Sequence, residues 1–250
     1  MRSIFVRIDF CIQSNKKLKK TADKFIVQIA EEQHISYAQE LCELYEESAK
    51  KRGTGIAKRD PEYIKEKILQ GKAIIAFTTE NILTGFCYIE TWQGKDYVAN
   101  SGLIVKEEYR HFGLAKRIKK FVFEYTKKKF PNAKIFGITT SLAVMKLNSD
   151  LGYKPVTFSE LTKDDAFWNG CKSCINYDVL TRTERKNCLC TAMLYNPKDE
   201  KKKEFASIKK VEKKIPAKLK TPKAQRIKVV KTAGKSKANK NNPTSKSTQS

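Results

Sequence analysis

From Tyr97 to Lys120 the chain reads YVANSGLIVKEEYRHFGLAKRIKK, and few arrangements satisfy such a segment. An apolar run of strand character gives way to a short charged turn, after which Arg110-His111-Phe112-Gly113-Leu114-Ala115 opens a basic amphipathic helix. The first turn of a helix carries amide donors without intrahelical acceptors, and a glycine in the preceding loop lets the backbone curl until several converge on one point. Gly113 supplies that freedom, and Ala115 keeps the approach open. Arg110, Lys116 and Arg117 add positive charge, while Leu114, Ile118, Phe121 and Val122 recur at helical spacing and would anchor the helix on a sheet. The expectation is an anion cradle that takes a phosphate-bearing ligand, with an ordinary helix start as the alternative for one glycine taken alone.

Periodicity around this segment predicts a mixed α/β sheet. FIVQIA at 25–30 reads as a first strand, and a helix follows from about Ile35 to Lys51 with Leu41, Leu44, Tyr45 and Ser48 on one stripe. Asp60-Pro61 looks like the cap and first position of a second helix reaching about Gln70, because proline there costs no hydrogen bond. Strands are expected at 73–78, 83–92 and 97–105, joined as antiparallel hairpins at Glu80-Asn81 and Gln93-Gly94-Lys95. After a helix over 114–129, the strand at 134–139 must return by a crossover and lie parallel to 97–105.

The pattern R-x-x-G-x-A after a strand, here Arg110, Gly113 and Ala115, resembles the acetyl-CoA pyrophosphate loop of the GNAT N-acetyltransferase superfamily. About thirty residues on, AKIFGITT and then Leu147-Asn148-Ser149-Asp150-Leu151-Gly152-Tyr153 resemble the helix-to-strand corner of the same superfamily. ESAKKRGTGIAKRDPEYI, GFCYIETW, VANSGLIV, KIFGITT and AVMKLNSDLGY look like a bacterial N-acylglutamate synthase-like group associated with arginine biosynthesis, over roughly Lys24 to Pro197. The resemblance implies antiparallel N-terminal strands, splayed parallel central strands and helices on both faces. It further implies acetyl-CoA or succinyl-CoA as co-substrate, held by Arg110, His111, Phe112, Gly113, Leu114, Ala115 and Lys116, with the backbone of Leu103, Ile104 and Val105 along the thioester.

Acyl transfer to an amine needs a held carbonyl, an unprotonated amine and a proton for the departing thiolate. Glu90, at the end of a strand beside Trp92, is the candidate base; a strand-end carboxylate in water is the bland reading. Many superfamily members have a proton-donating Tyr where this chain has Asn148, and an amide cannot protonate a thiolate. Asn148 could still bond the cofactor, and the proton would come from Tyr153, from water, or from no protein group. With His34 and His111 the only histidines, histidine catalysis is nearly excluded, and Cys87, mid-strand in an apolar run, reads as structural. If the acceptor is glutamate, its carboxylates need cations: the 51–59 loop, which lines the acceptor pocket in GNAT folds, offers Arg52, Thr54 and Arg59, and Asn100 and Ser101 could also face the acceptor.

Four of the seven cysteines fall as Cys171-x-x-Cys174 and Cys188-x-Cys190. A strand over 187–195 would point Cys188 and Cys190 to one face, and all four could hold a structural zinc, with Arg182, Arg185 and Lys186 favouring thiolates. Reduced thiols packed in a small core are the competing reading.

The net charge of +24 is unevenly spread. Residues 198–250 hold 18 Lys or Arg against 4 Asp or Glu, and residues 1–24 hold 7 against 2, so the body is nearly balanced. The expected organisation is a flexible extension at 1–23, an acetyltransferase core at 24–158, a cysteine-rich segment packed on it at 159–197 and a disordered Lys-rich tail at 198–250. That tail either touches nucleic acid weakly and nonspecifically or merely solubilises. No run approaches the ~20 apolar residues of a membrane span, and a cytoplasmic monomer or homodimer is expected. The functional expectation is an acyl-CoA-dependent N-acetyltransferase of a small amino acid. The alternatives are a protein or ribosome-associated N-acetyltransferase tethered by the tail, and a non-enzymatic acyl-CoA-binding module.

Overall fold

In the computed structural model, the described residues are 24–53 and 58–200. The chain divides into two compact units, Met1–Phe205 and Ala206–Ser250; the second falls wholly outside these residues, as do the expectations for 1–23, Thr54 and most of the Lys-rich tail. Within the first unit the order is β1 (Phe25–Ile29), α1 (Ala38–Arg52), α2 (Pro61–Leu69), β2 (Ala73–Thr78), β3 (Leu83–Trp92), β4 (Tyr97–Val105), α3 (Leu114–Lys129), β5 (Lys134–Thr139), α4 (Leu142–Asp150), β6 (Lys154–Val156), α5 (Asp165–Asn169), α6 (Tyr177–Arg182) and β7 (Thr191–Tyr195). Asp60 caps α2 by accepting from the Glu62 amide at 2.7 Å, with Pro61 in the first turn.

The seven strands form one sheet, ordered β1-β2-β3-β4-β5-β7-β6. Period-two alternation gives it two apolar faces: Ile75 and Phe77 join Leu41, Tyr45, Ile64 and Ile68 under α1 and α2. Ile74 and Ala76 instead meet Leu114, Ile118 and Val122 of α3. Helices therefore cover both faces, as expected, and all neighbouring strands run antiparallel except β4 and β5.

Those two parallel strands pair only at Tyr97 with Lys134, Val98 with Ile135 and Ala99 with Phe136. Beyond Ala99 they part, while β5 stays paired along its other edge with β7 from Ile135 to Thr139. The outcome is a fork that opens toward the carboxyl ends of both strands, the end at which parallel sheets receive ligands.

A bulge shapes the inner arm. Phe86 faces Ile104 but Tyr88 faces Ser101, so Cys87 opposes two residues, Gly102 and Leu103. Gly102 has φ +63°, and a Cβ there would lie 2.6 Å from the Tyr45 hydroxyl oxygen and closer still to the Tyr88 ring. Gly102→Ala should therefore cost well over the ~1–2 kcal/mol of left-handed backbone strain alone. Thermal unfolding reads this directly, and an unchanged midpoint would show that the bulge relaxes freely.

Candidate functional site

At the open end of the fork, β4 runs through a short turn at Glu107–Tyr109 into α3. Gly113 sits just before the helix in the left-handed region at φ +76°, preceded by His111 at φ +66°. Among the described residues, no backbone acceptor takes the amides of residues 111–116; the next one, Arg117, returns to Gly113 O at 3.1 Å. The cradle's donors are thus unspent. The side chains around it are more committed than the sequence suggests: Arg110 Nε donates to Val105 O at 3.2 Å, Lys116 lies 3.8 Å from Asp150, and Arg117 Nη2 donates to Phe25 O at 2.9 Å. Phe112 and His111 are exposed, whereas Leu114 is buried against the sheet. Leu103, Ile104 and Val105 lie on β4 beyond its last pair with β5, with Ile104 and Val105 side chains buried.

The α1/α2 face of the fork carries a polar box inside an aromatic wall. The Arg59 guanidinium carbon stacks 4.3 Å from the centre of the Tyr45 ring and 5.8 Å from that of Tyr88, and Nε donates to the Tyr88 hydroxyl at 3.0 Å. Burial opposes the charge on Arg59, but Tyr88, Tyr45 and the Glu90 carboxylate outweigh it and hold its pKa above the ordinary value. Glu90 faces Ala99, the last β4 residue before the strands part, and accepts a hydrogen bond from the Tyr63 hydroxyl. Burial first, and Glu90 second, raise the Tyr63 phenol, while burial pushes Tyr88 up to about 12; both remain donors across the neutral range. The sequence-predicted Arg59 and Glu90 are thus brought together; the structure adds Tyr63, Tyr88 and Tyr45, the last read from sequence only as part of a helix stripe. The Arg52 side chain and Thr54 lie outside the described residues.

On the α3 face, two expectations need correction. Asn100, proposed to face the acceptor, is buried and turned the other way: its amide donates to Thr126 Oγ1 at 3.0 Å and its oxygen accepts from the Tyr153 hydroxyl at 2.9 Å. Tyr153, proposed as a proton donor, packs with Phe123, Ile135, Met193 and Tyr195, so its hydroxyl is spent on Asn100 and burial holds its pKa well above the ordinary value. Ser101 is half-buried and its carbonyl accepts from Cys87 Sγ at 3.2 Å. Asn148 is 1% exposed, with only a long contact of 3.7 Å to Met193 Sδ on its nitrogen and no partner for its oxygen. A Cβ on Gly137, just past the last paired residue of β5, would lie 4.0 Å from the Asn148 nitrogen, which places that side chain at the fork.

The structure adds Lys119, which sequence reading passed over. It is 2% exposed on α3, its ammonium 5.2 Å from the centre of the Tyr153 ring, and burial lowers its pKa to about 8. Its spacing held a signal: Ala115, Lys119 and Phe123 form an i, i+4 row beside the Leu114-Ile118-Val122 stripe.

The zinc expectation is also corrected. Among the described residues no group of three or more His, Cys, Asp or Glu is arranged to hold a metal ion. Cys188 and Cys190 precede β7 rather than lying on it, so strand periodicity does not align them. All four thiols are free, and Cys171, Cys188 and Cys190 pack around Phe158, Leu161, Trp168 and Leu180. Burial, and then the neighbouring thiols, raise Cys171 to about 11 and Cys190 to about 12. The loop cations pair with carboxylates instead: Arg182 with Asp178, Arg185 with Asp165 and Lys186 with Glu184. No described helix is long and apolar enough to cross a membrane.

Neither a family model nor a curated protein matches the sequence. Solved structures do match. N-acetylglutamate synthase from Neisseria gonorrhoeae, complexed with coenzyme A and N-acetyl-glutamate, aligns over 69% of this chain at 14% identity and a TM-score of 0.50. The chain spans only 35% of that protein's length. A Mycobacterium tuberculosis protein in complex with CoA aligns over 68% of this chain and 98% of its own, at 13% identity and a TM-score of 0.51. A mosquito arylalkylamine N-acetyltransferase-like protein aligns over 69% and 99%, at 14% identity and a TM-score of 0.50. The mixed sheet, its forked parallel pair and the glycine-capped helix at the mouth of the fork give this chain the GNAT acetyltransferase fold.

Proposed function

We propose that the chain is an acyl-CoA-dependent N-acyltransferase that passes the acyl group directly to the amine of a small amino acid, with L-glutamate as the leading acceptor. The observation that carries this reading is the fork between β4 and β5 with unspent helix-start amides at its mouth. A diphosphate would lie on the amides of residues 113–116, and the pantetheine arm would lie along the unpaired edge of β4 toward Leu103.

The acceptor fits on the opposite face. Its carboxylate would meet Arg59 between Tyr45 and Tyr88, and its amine would meet Glu90, which Tyr63 holds in place. Direct transfer in a ternary complex suits this geometry better than a covalent route, since Cys87 is fully buried and burial raises its thiol to about 11. The N-acetylglutamate synthase likeness supports glutamate, and with it a place in arginine biosynthesis.

The test is thiol release by the purified full-length chain with acetyl-CoA and succinyl-CoA against each proteinogenic amino acid. Glutamate should be among the responders. Silence across all amino acids would contradict the reading.

A further inference from the structure

We propose that Lys119 is the acid that protonates the departing coenzyme A thiolate, a role that rests on the acyl-transfer reading above. Three observations converge on it. First, the ammonium is buried, and among the described residues neither a carboxylate nor a hydrogen-bond acceptor holds it. A buried cation that meets a ring face and no carboxylate is costly, and a helix that needed only packing would carry Leu or Met at this place.

Second, its neighbours point their own protons elsewhere. Cys87 of β3 donates to Ser101 O, and Tyr153, following α4, donates to Asn100. Neither is hydrogen-bonded to Lys119, which meets Tyr153 only at its ring face. Burial keeps Cys87, at about 11, and Tyr153 protonated, so these two facing groups are neutral while Lys119, near 8, titrates between them. Third, Asn148 borders the same Tyr153, whose amide returns to Asn148 O at 3.1 Å, and leaves its buried side-chain oxygen unpartnered at the fork. Lys119 and Asn148 thus both border Tyr153 on the α3 face, one a donor and the other an acceptor that a polar ligand arm can use.

The step balances. The acceptor nitrogen attacks the thioester carbonyl carbon and forms the C–N bond, its surplus proton passing to Glu90. The C–S bond breaks, its electron pair stays on sulfur, and Lys119 supplies the proton that makes the free thiol. Solvent then reprotonates the amine and takes the proton from Glu90. A donor near 8 is more acidic than an ordinary alkyl thiol, so the proton moves downhill to the departing thiolate. Asn148 thus stands where a phenol is expected because the proton arrives from α3.

The test compares the full-length chain with Lys119→Met across pH, using saturating acetyl-CoA and the fastest-responding amino acid. Wild-type kcat should fall on the alkaline side with an apparent pKa near 8. Lys119→Met should lose about 10²-fold in kcat, show no such fall, and unfold at a temperature no lower than wild type. A kcat within about threefold of wild type overturns the assignment of Lys119 while leaving acyl transfer intact. Absence of wild-type turnover with any amino acid overturns both. Should the variant fail to fold, the wild type decides alone: a kcat level from about pH 7 to about pH 10 overturns the proposal.

Discussion

Glu90→Gln is expected to lower kcat by about 10²–10⁴-fold, the range spanned by general acid–base catalysis, while leaving the dissociation constant of acetyl-CoA within a factor of about two. The substitution is nearly isosteric, and its carbonyl oxygen can still accept from Tyr63, so the aromatic wall and Arg59 stay in place. What disappears is the group proposed to take the proton from the attacking amine. Tyr63→Phe should show a milder form of the same defect, because the carboxylate remains but swings freely. A Glu90→Gln enzyme within about threefold of wild type would mean that water carries the proton.

Gly113→Val is the second large effect, and it falls on binding rather than turnover. A Cβ at Gly113 meets nothing within 4 Å, so the change creates no clash. Its effect comes from the backbone: a β-branched residue at φ +76° is strained by about 1–2 kcal/mol, and relief rotates the following amides off their common target. Losing even two hydrogen bonds to a charged diphosphate, at about 1.5–3 kcal/mol each, weakens CoA at least about 100-fold. Calorimetric titration against a folded variant checks it. An unchanged dissociation constant would show that the diphosphate lies elsewhere.

Much of this arrangement is legible in the sequence where local chemistry repeats itself. Strands 73–78, 83–92 and 97–105 and the helix 114–129 agree with β2, β3, β4 and α3, because the strands are apolar runs bounded by turn residues and the helix keeps a 3.6-residue stripe. The parallel return of 134–139 follows from the crossover alone. The region after Tyr153 is opaque for the opposite reason. β6 has three residues and α5 five, too short to show a period or to stabilise themselves, so they form through contacts with Phe136, Trp168 and Leu194 that no local pattern announces. β7 enters the sheet between β5 and β6 and keeps the outer edge of β5 paired past the point where β4 parts from it.

The site divides in the same way. Arg59 and Glu90 are visible as charges in small or strand-end settings, but Tyr45, Tyr63 and Tyr88 come from α1, α2 and β3 and read as ordinary core aromatics. Lys119 is hidden by its own type, since a lysine in a basic amphipathic helix is read onto the solvent face. Asn100 misled because a polar residue in an apolar strand signals a partner without saying on which side of the sheet the partner lies.

The most direct measurement is a crystal structure of the full-length chain grown with coenzyme A. The diphosphate should accept hydrogen bonds from the amides of residues 113–116, and the thiol should end between β4 and β5 near Lys119 and Asn148. A nucleotide bound anywhere else, or a fork closed by protein side chains in the presence of saturating coenzyme A, would contradict the account.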